Sequence, residues 1–228
     1  MSETTTPHTA LDQGATFSRC LMHDHRDLHA AVEGSRFVRA LRADEATRQD
    51  YTAYLVNVLH DLEIIEPVLE TAPSPLDSID FSRVARREAI RSDIAAFGFE
   101  LRPSEAVRTH RAALERLASE APALLVPHAA LRYLAVMFGG RMRAERLKRM
   151  WGPETPLRMY AFDGDPTEVK DTFLAELDAF DRRLDSATRA RLRQELITAW
   201  EFAGDMLGED VRPLSAGSRP AQAATLSP

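Results

Sequence analysis

The sequence predicts an all-α fold, a single-domain bundle of several helices, on the basis of three observations. Apolar residues recur at helical spacing along almost every segment between residues 15 and 208. No segment shows the regular apolar–polar alternation that is typical of a half-buried strand. The 228 residues are enough for one substantial hydrophobic core, and no internal repeat divides them.

The individual helices are predicted from apolar stripes and from residues that start or stop helices. In chain order, we expect helices over residues 12–32, 36–41, 44–69, 81–97, 105–117 and 124–151, from 165 onward, and over 186–207. Gly34 should end the first helix and Pro73 the third. The clearest stripe, in the third helix, consists of Tyr51, Leu55, Val58, Leu62, Ile65 and Leu69.

Two helix starts carry strong local signals. Ser104 follows Pro103 and is well placed to cap the helix over 105–117, because its hydroxyl can accept a free backbone N–H. Asp165 precedes Pro166 and Glu168, which gives a capping acid, a proline at the first helical position and an acid in the first turn. Residues 1–14 and 209–228 are rich in Thr, Ser, Pro and Ala, so we expect disordered tails around a helical domain over 15–208.

Composition limits the class of protein. The net charge of −6 argues against general nucleic-acid binding, which requires a basic surface. We expect no membrane span, because no apolar run looks long enough, and the polar N-terminus does not resemble a signal peptide. The single cysteine, Cys20, allows no internal disulfide and fits a reducing compartment. These observations predict a cytoplasmic protein.

Gly139 and Gly140 form the most unusual local pattern, a glycine pair inside a predicted helix. A glycine in a helix interior costs about 1 kcal/mol relative to alanine. Such a pair lets a flat or bulky group approach the backbone closely, which makes this helix a candidate ligand-binding element. The alternative is a close helix–helix crossing that requires small residues.

The histidines offer two candidate metal sites. His29 lies near the end of the first helix, where an imidazole could bind haem iron; the alternative is a helix-end histidine that faces solvent or pairs with Glu33. His25, one turn earlier, would permit a shared metal ion. His60, Glu63 and Glu66 share one helix and could suggest a carboxylate-bound metal, although the sequence contains no Glu-x-x-His motif.

Two of these features, taken in this order, resemble the haem oxygenase family. The segment from His29 to Glu33, followed by Phe37-Val-Arg-Ala-Leu41, is similar to the family's proximal segment. Arg132-Tyr133-Leu134, followed after four residues by Gly139-Gly140, is similar to its distal helix. The Leu62-Glu63 pair, the segment from Tyr160 to Gly164 and Lys170-Asp171 extend the resemblance over about residues 17–207.

The resemblance implies a set of site residues. His29 would be the proximal ligand to haem iron, and Gly139 and Gly140 would line the distal face, where the chemistry takes place. Further residues expected to contact haem are Arg132, Val136, Phe138 and Lys170.

The resemblance also implies a reaction, in which haem is both cofactor and substrate. Reduced iron binds O2, and successive oxygenation of the porphyrin releases biliverdin, CO and iron. An electron-donating reductase or ferredoxin would be the partner.

The sequence departs from the family pattern at four positions and leaves two alternatives. Val136 stands where the family has an aspartate that orders proton-delivering waters, and Ala130 stands where a tyrosine contacts a haem propionate. Met22 and Leu174 stand where the family has basic residues. One alternative is a non-catalytic protein that binds haem or another tetrapyrrole through His29. The other is an enzyme on the same fold with a non-haem iron centre near His60 and Glu63.

Overall fold

The computed structural model describes residues 15–23 and 26–208, and helices account for most of them. No strand lies within these ranges, which agrees with the predicted all-α class. Four short 3-10 turns join the helices at Leu76–Ser78, Phe81–Arg83, Pro122–Leu125 and Arg158–Tyr160. The α-helices of the described ranges are α1 (Phe17–His23), α2 (Arg26–Glu33), α3 (Arg36–Arg42), α4 (Arg48–Leu69), α5 (Arg87–Phe97), α6 (Glu105–Glu120), α7 (Val126–Trp151), α8 (Pro166–Arg183) and α9 (Ser186–Gly208).

The two predicted caps are present. The Ser104 hydroxyl accepts a hydrogen bond from the backbone N–H of Val107 at the start of α6. The Asp165 carboxylate accepts one from the backbone N–H of Thr167 at the start of α8, and Pro166 occupies the first turn. Each cap satisfies an N–H that has no partner within its own helix.

The predicted start of the 44–69 helix is wrong by four residues. α4 begins at Arg48, because Thr47 and Asp50 form a reciprocal cap in which each side chain accepts the backbone N–H of the other. Asp44 lies before the helix with φ of 59°, in the left-handed region. The acid thus belongs to the turn between α3 and α4.

Two other predicted helices are shorter or divided. Within the predicted 12–32 helix, the structure describes α1 and α2, and residues 12–14 and 24–25 lie outside the described ranges. The predicted helix over 81–97 is wrong in its first part, which forms a 3-10 turn before α5. α5 begins where the buried Glu66 carboxylate of α4 accepts the backbone N–H groups of Arg86 and Arg87. A contact distant in sequence therefore sets this helix start.

α4 lies at the centre of the bundle, in contact with α5, α6, α7 and α9. Its buried Asn57 joins two of these neighbours, since its Nδ2 donates to the Met206 carbonyl at 3.1 Å and its Oδ1 accepts the Ser104 N–H at 2.9 Å. α2 and α7 both pack against α9. This arrangement leaves a space between α2 and α7.

The expectation that no apolar run is long enough for a membrane span is wrong for one segment. By length and composition, Pro122–Trp151 qualifies, and it includes α7. In the described fold, 72% of its apolar window is buried inside the protein. α7 thus serves as a core helix of this bundle. The two predicted tails, 1–14 and 209–228, lie outside the described residues.

Candidate functional site

The space between α2 and α7 is a cavity of about 1000 Å³. This volume is at the upper end of the range for small-molecule sites, so the cavity can take a large ligand. α1, α3, α4 and α9 complete its walls. The apolar side chains in these walls include Val32, Phe37, Leu41, Leu134, Phe138 and Trp200.

His29 lies on the α2 wall of this cavity with an exposed side chain. The edge of its ring meets the Trp200 indole, with ring centres 5.6 Å apart and planes at 80°. Its ring nitrogens make no hydrogen bond or ion pair with residues of the described ranges. Glu33, one turn later, pairs instead with Arg42 of α3. The imidazole nitrogens are therefore available to a ligand.

The glycine pair of α7 is divided between two environments. Gly139 lines the cavity. Gly140 is buried on another side of the helix, where a Cβ atom would lie 2.8 Å from Cδ1 of Tyr160. Hence a ligand-facing role fits Gly139 and a close packing contact fits Gly140. The predicted catalytic role of the pair stays a prediction.

Arg132 lies on the cavity wall, and hydrogen bonds to residues behind the wall fix its guanidinium. Its Nη2 donates to the Asp61 carboxylate of α4, and its Nη1 donates to the His128 carbonyl at 2.7 Å. Only 4% of its side chain is exposed. The guanidinium is therefore fixed and cannot reach out to the mouth of the cavity.

Asp61 is completely buried and was not identified from the sequence. Burial alone would raise the pKa of its carboxyl group, but the Arg132 guanidinium and two histidines outweigh this effect and hold the pKa well below its usual range. Asp61 Oδ1 lies 3.3 Å from Nδ1 of His60, and Oδ2 lies 3.4 Å from Nδ1 of His110. The sequence signal was an acid inside the apolar pattern of α4.

His110 links this buried cluster to the surface. Its Nε2 lies 3.2 Å from Oδ2 of Asp205, whose side chain is about half exposed. The His110 ring also stacks on Phe202, with centres 3.6 Å apart. Asp205, His110 and Asp61 thus form a row of polar side chains from the surface to Arg132 on the cavity wall, and Nδ1 of His110 makes no hydrogen bond within the described residues.

The other predicted contact residues lie around the cavity in different ways. Phe138 lines it and is 46% exposed. Val136 is buried and packs near Gly140, outside the cavity lining. Lys170 of α8 lies outside the lining as well, with Nζ 5.0 Å from the centre of the Phe138 ring and 3.2 Å from Asp171. Whether Val136 and Lys170 contact a ligand stays a prediction.

The alternative metal residues of α4 have separate partners. His60 contacts Asp61, and Glu63 pairs with Arg91 at 2.8 Å. Glu66 accepts backbone N–H groups from the start of α5 and the Tyr133 hydroxyl at 3.1 Å. Within the described ranges, no group of three His, Cys, Asp or Glu side chains could hold a metal ion. His25 lies outside those ranges.

Arg143 is a further cavity residue that the sequence reasoning missed. Its Nη2 donates to the Ala135 carbonyl, and its guanidinium lies over Gly139. Burial raises the pKa of the neighbouring Tyr54, while the positive charge of Arg143 opposes this rise. The signal in the sequence is the spacing of four residues between Gly139 and Arg143, which places both on one face of a helix.

This fold and site define an all-helical protein with a large cavity beside an unengaged histidine and a helical glycine. The chain matches the family model described as "Heme oxygenase" over residues 15–209. It therefore belongs to the haem oxygenase family. Among curated proteins it is similar to "Heme oxygenase 1" of Gallus gallus, with 24% identity over 208 residues, which cover 85% of this chain and 69% of that protein.

Solved structures share the fold. The haem oxygenase of Leptospira interrogans has a TM-score of 0.76 and 20% identity, covering 85% of this chain and 98% of that chain. Haem oxygenase-1 of the cyanobacterium Synechocystis, in complex with haem, has a TM-score of 0.76 and 20% identity, covering 85% and 91%. Haem oxygenase 2 of Chlamydomonas reinhardtii, without haem, has a TM-score of 0.72 and 17% identity, covering 91% and 100%.

Proposed function

We propose that this protein binds haem in the cavity between α2 and α7, with His29 as the axial ligand to iron. The observation that carries the proposal is the unengaged His29 imidazole in a largely apolar cavity that Gly139 also lines. Two further findings support it. The chain belongs to the haem oxygenase family, and one structural neighbour is a complex with haem.

The residues that line the cavity fit haem. Haem is a flat apolar macrocycle that carries two carboxylates, and an imidazole is a usual ligand to its iron. The apolar walls suit the macrocycle, and Gly139 removes a side chain from the α7 wall. Arg26 and Arg141 line the cavity with exposed side chains and have no ion pair in the described ranges. They are available to the carboxylates.

We further propose that the protein cleaves haem in an O2-dependent reaction to biliverdin, CO and iron. When bound, haem would supply the iron that activates O2 and the porphyrin carbon that is oxidised. A reductase or ferredoxin would supply the electrons. The apolar side chains of the cavity would exclude most water from the ligand.

The buried cluster behind Arg132 supports the cavity wall. Asp61 fixes the Arg132 guanidinium there, and His110 lies between Asp61 and Asp205. We expect this fixed guanidinium to hold a positive charge beside the bound ligand.

The experiment that tests the proposal is a titration of the purified protein with hemin, followed by addition of a reductant in air. We expect a saturable Soret band that decays to biliverdin absorption, with CO captured by a ferrous globin. A stable Soret band without decay would contradict turnover and favour the non-catalytic haem-binding alternative. The lack of any Soret band would contradict haem binding itself.

The role of His29 is tested in the same assay with His29→Ala. Because this substitution removes the proposed iron ligand, we expect loss of the histidine-type Soret spectrum. His60→Ala tests the non-haem-iron alternative in the same assay, and it should keep a histidine-type Soret band, since His60 lies outside the cavity lining. An unchanged spectrum in His29→Ala would remove His29 from the site.

A further inference from the structure

Arg143 differs from the other partly or fully buried arginines of the cavity because it lacks a carboxylate partner in the described ranges. Arg132 pairs with Asp61, and Arg146 pairs with Asp44. Arg143 is only half-buried, yet it forms no ion pair with a carboxylate in the described ranges. Its Nη2 donates to the Ala135 carbonyl, while its Nε is buried without a hydrogen-bond partner. This guanidinium thus has unused donor capacity inside a largely apolar cavity.

The position of Arg143 depends on Gly139. A Cβ atom at residue 139 would lie 2.9 Å from Cζ of Arg143 and 3.1 Å from its Nε. The missing side chain of Gly139 therefore lets the guanidinium lie against the helix, over the surface that a flat ligand would contact. A ligand pressed against Gly139 must displace Arg143 and release its donors.

Electrostatics indicates what the released guanidinium would bind. A cation that is partly removed from water is stabilised when an anion and its hydrogen bonds compensate the lost hydration. A guanidinium has five donors and binds carboxylate oxygens especially well. In the described ranges, the protein supplies no carboxylate to Arg143. A bound ligand can do so.

We infer that Arg143 is a specificity-determining residue that receives an anionic oxygen of the ligand in this cavity. The inference deepens the proposed function and rests on it for the identity of the ligand. With haem, the anionic oxygen would belong either to a porphyrin carboxylate or to an anion bound to the iron. Arg143 is not among the residues that carry the family resemblance in the sequence.

The first test needs no haem. The anionic fluorophore 8-anilinonaphthalene-1-sulfonate and the neutral N-phenyl-1-naphthylamine share the same apolar rings and differ in the sulfonate. We expect the wild type to bind the anionic probe more tightly than the neutral one. Arg143→Leu should lower the affinity for the anionic probe alone, by about ten- to a hundredfold. Arg143→Lys, which keeps the charge, should retain part of the affinity.

Arg149→Leu is the matched control. Arg149 also lines the cavity, but its side chain is exposed, so its charge is screened by water. We expect a much smaller change in affinity for the anionic probe. Equal effects of the two substitutions, equal losses for both probes, or no preference of the wild type for the anionic probe would overturn the inference.

A second test distinguishes the two sources of the anion. If Arg143 receives a porphyrin carboxylate, Arg143→Leu should weaken hemin binding and leave hemin dimethyl ester unaffected. If it receives an anion on the iron, the substitution should weaken formate binding to the ferric complex instead. A variant that matches the wild type in both assays would overturn the inference. Failure of the wild type to bind hemin would contradict the proposed function, whereas the probe pair would still test Arg143.

Discussion

Gly139 and Gly140 are adjacent in sequence but have different neighbours. A side chain at Gly139 would meet the flexible end of Arg143, whereas one at Gly140 would meet the Tyr160 ring close to its attachment to the backbone. The Tyr160 ring packs on Tyr51, with centres 6.5 Å apart. It therefore has less freedom to move away than Arg143 has.

This difference predicts opposite effects of two alanine substitutions on stability. Both replace a helical glycine, which favours the helix by about 1 kcal/mol. Gly139→Ala should raise the free energy of unfolding by up to about this amount, because Arg143 can shift. Gly140→Ala should lower it by about 1–2 kcal/mol, because the added methyl group overpacks against Tyr160. Urea denaturation of both variants measures the effect, and a destabilised Gly139→Ala with a stabilised Gly140→Ala would contradict it.

Among individual site residues, the sequence predicts only those that a local pattern marks. The glycine pair interrupts a helical segment, and His29 begins a recognisable motif, so both were identified. The four-residue spacing puts Arg143 on the same face of α7 as Gly139, but α7 carries several arginines, and it takes the packed structure to show that this side chain lies over Gly139. No local pattern marks Asp61, because its partner Arg132 is distant in the sequence.

At the scale of helices, the Asp61–Arg132 pair joins α4 to α7. Asp61→Asn would leave a buried guanidinium without its counter-charge, and breaking such a pair costs about 3–5 kcal/mol. We expect a loss of this order in the free energy of unfolding at pH 7. Asp181→Asn is the matched control. It breaks the buried pair with Arg193, which lies outside the cavity lining.

The two substitutions should differ in hemin binding. Both should destabilise the protein, but only Asp61→Asn should alter the absorption spectrum of bound hemin, because Arg132 lies on the cavity wall. Identical spectra in both variants would show that the Asp61 cluster serves stability alone.

The same pair predicts a pH dependence. The pKa of Asp61 is lower in the folded protein than the value of about 3.9 in an unfolded chain. The pair therefore contributes its full stability above about pH 4 and loses it as the pH falls further toward the folded-state pKa. The difference in unfolding free energy between wild type and Asp61→Asn should shrink below pH 4. A difference that stays constant from pH 6 to pH 3 would contradict this assignment.

Some helix boundaries are set by residues within one turn, and others by residues distant in the sequence. The caps at Ser104 and Asp165 depend on residues within one turn, and the sequence predicts both. The start of α5 depends on Glu66, twenty residues before Arg86, and no local pattern marks it. The start of α4 was missed because Thr47 and Asp50 form a better cap than Asp44.

For the whole molecule, the helical fold is predictable because amphipathic stripes fix which face of each helix is buried. The family membership agrees with that prediction, and structures with about 20% identity share the fold. The cavity is less predictable, since it arises from the packing of α2 and α7 on α9. Sequence reasoning can place His29 and Gly139 together only through resemblance to a family.

A crystal structure of the protein with hemin tests the central claim most directly. The account predicts the porphyrin between α2 and α7, the iron bonded to the His29 imidazole, and the Arg143 guanidinium displaced from Gly139. Hemin bound elsewhere, or iron held by a residue other than His29, would contradict it.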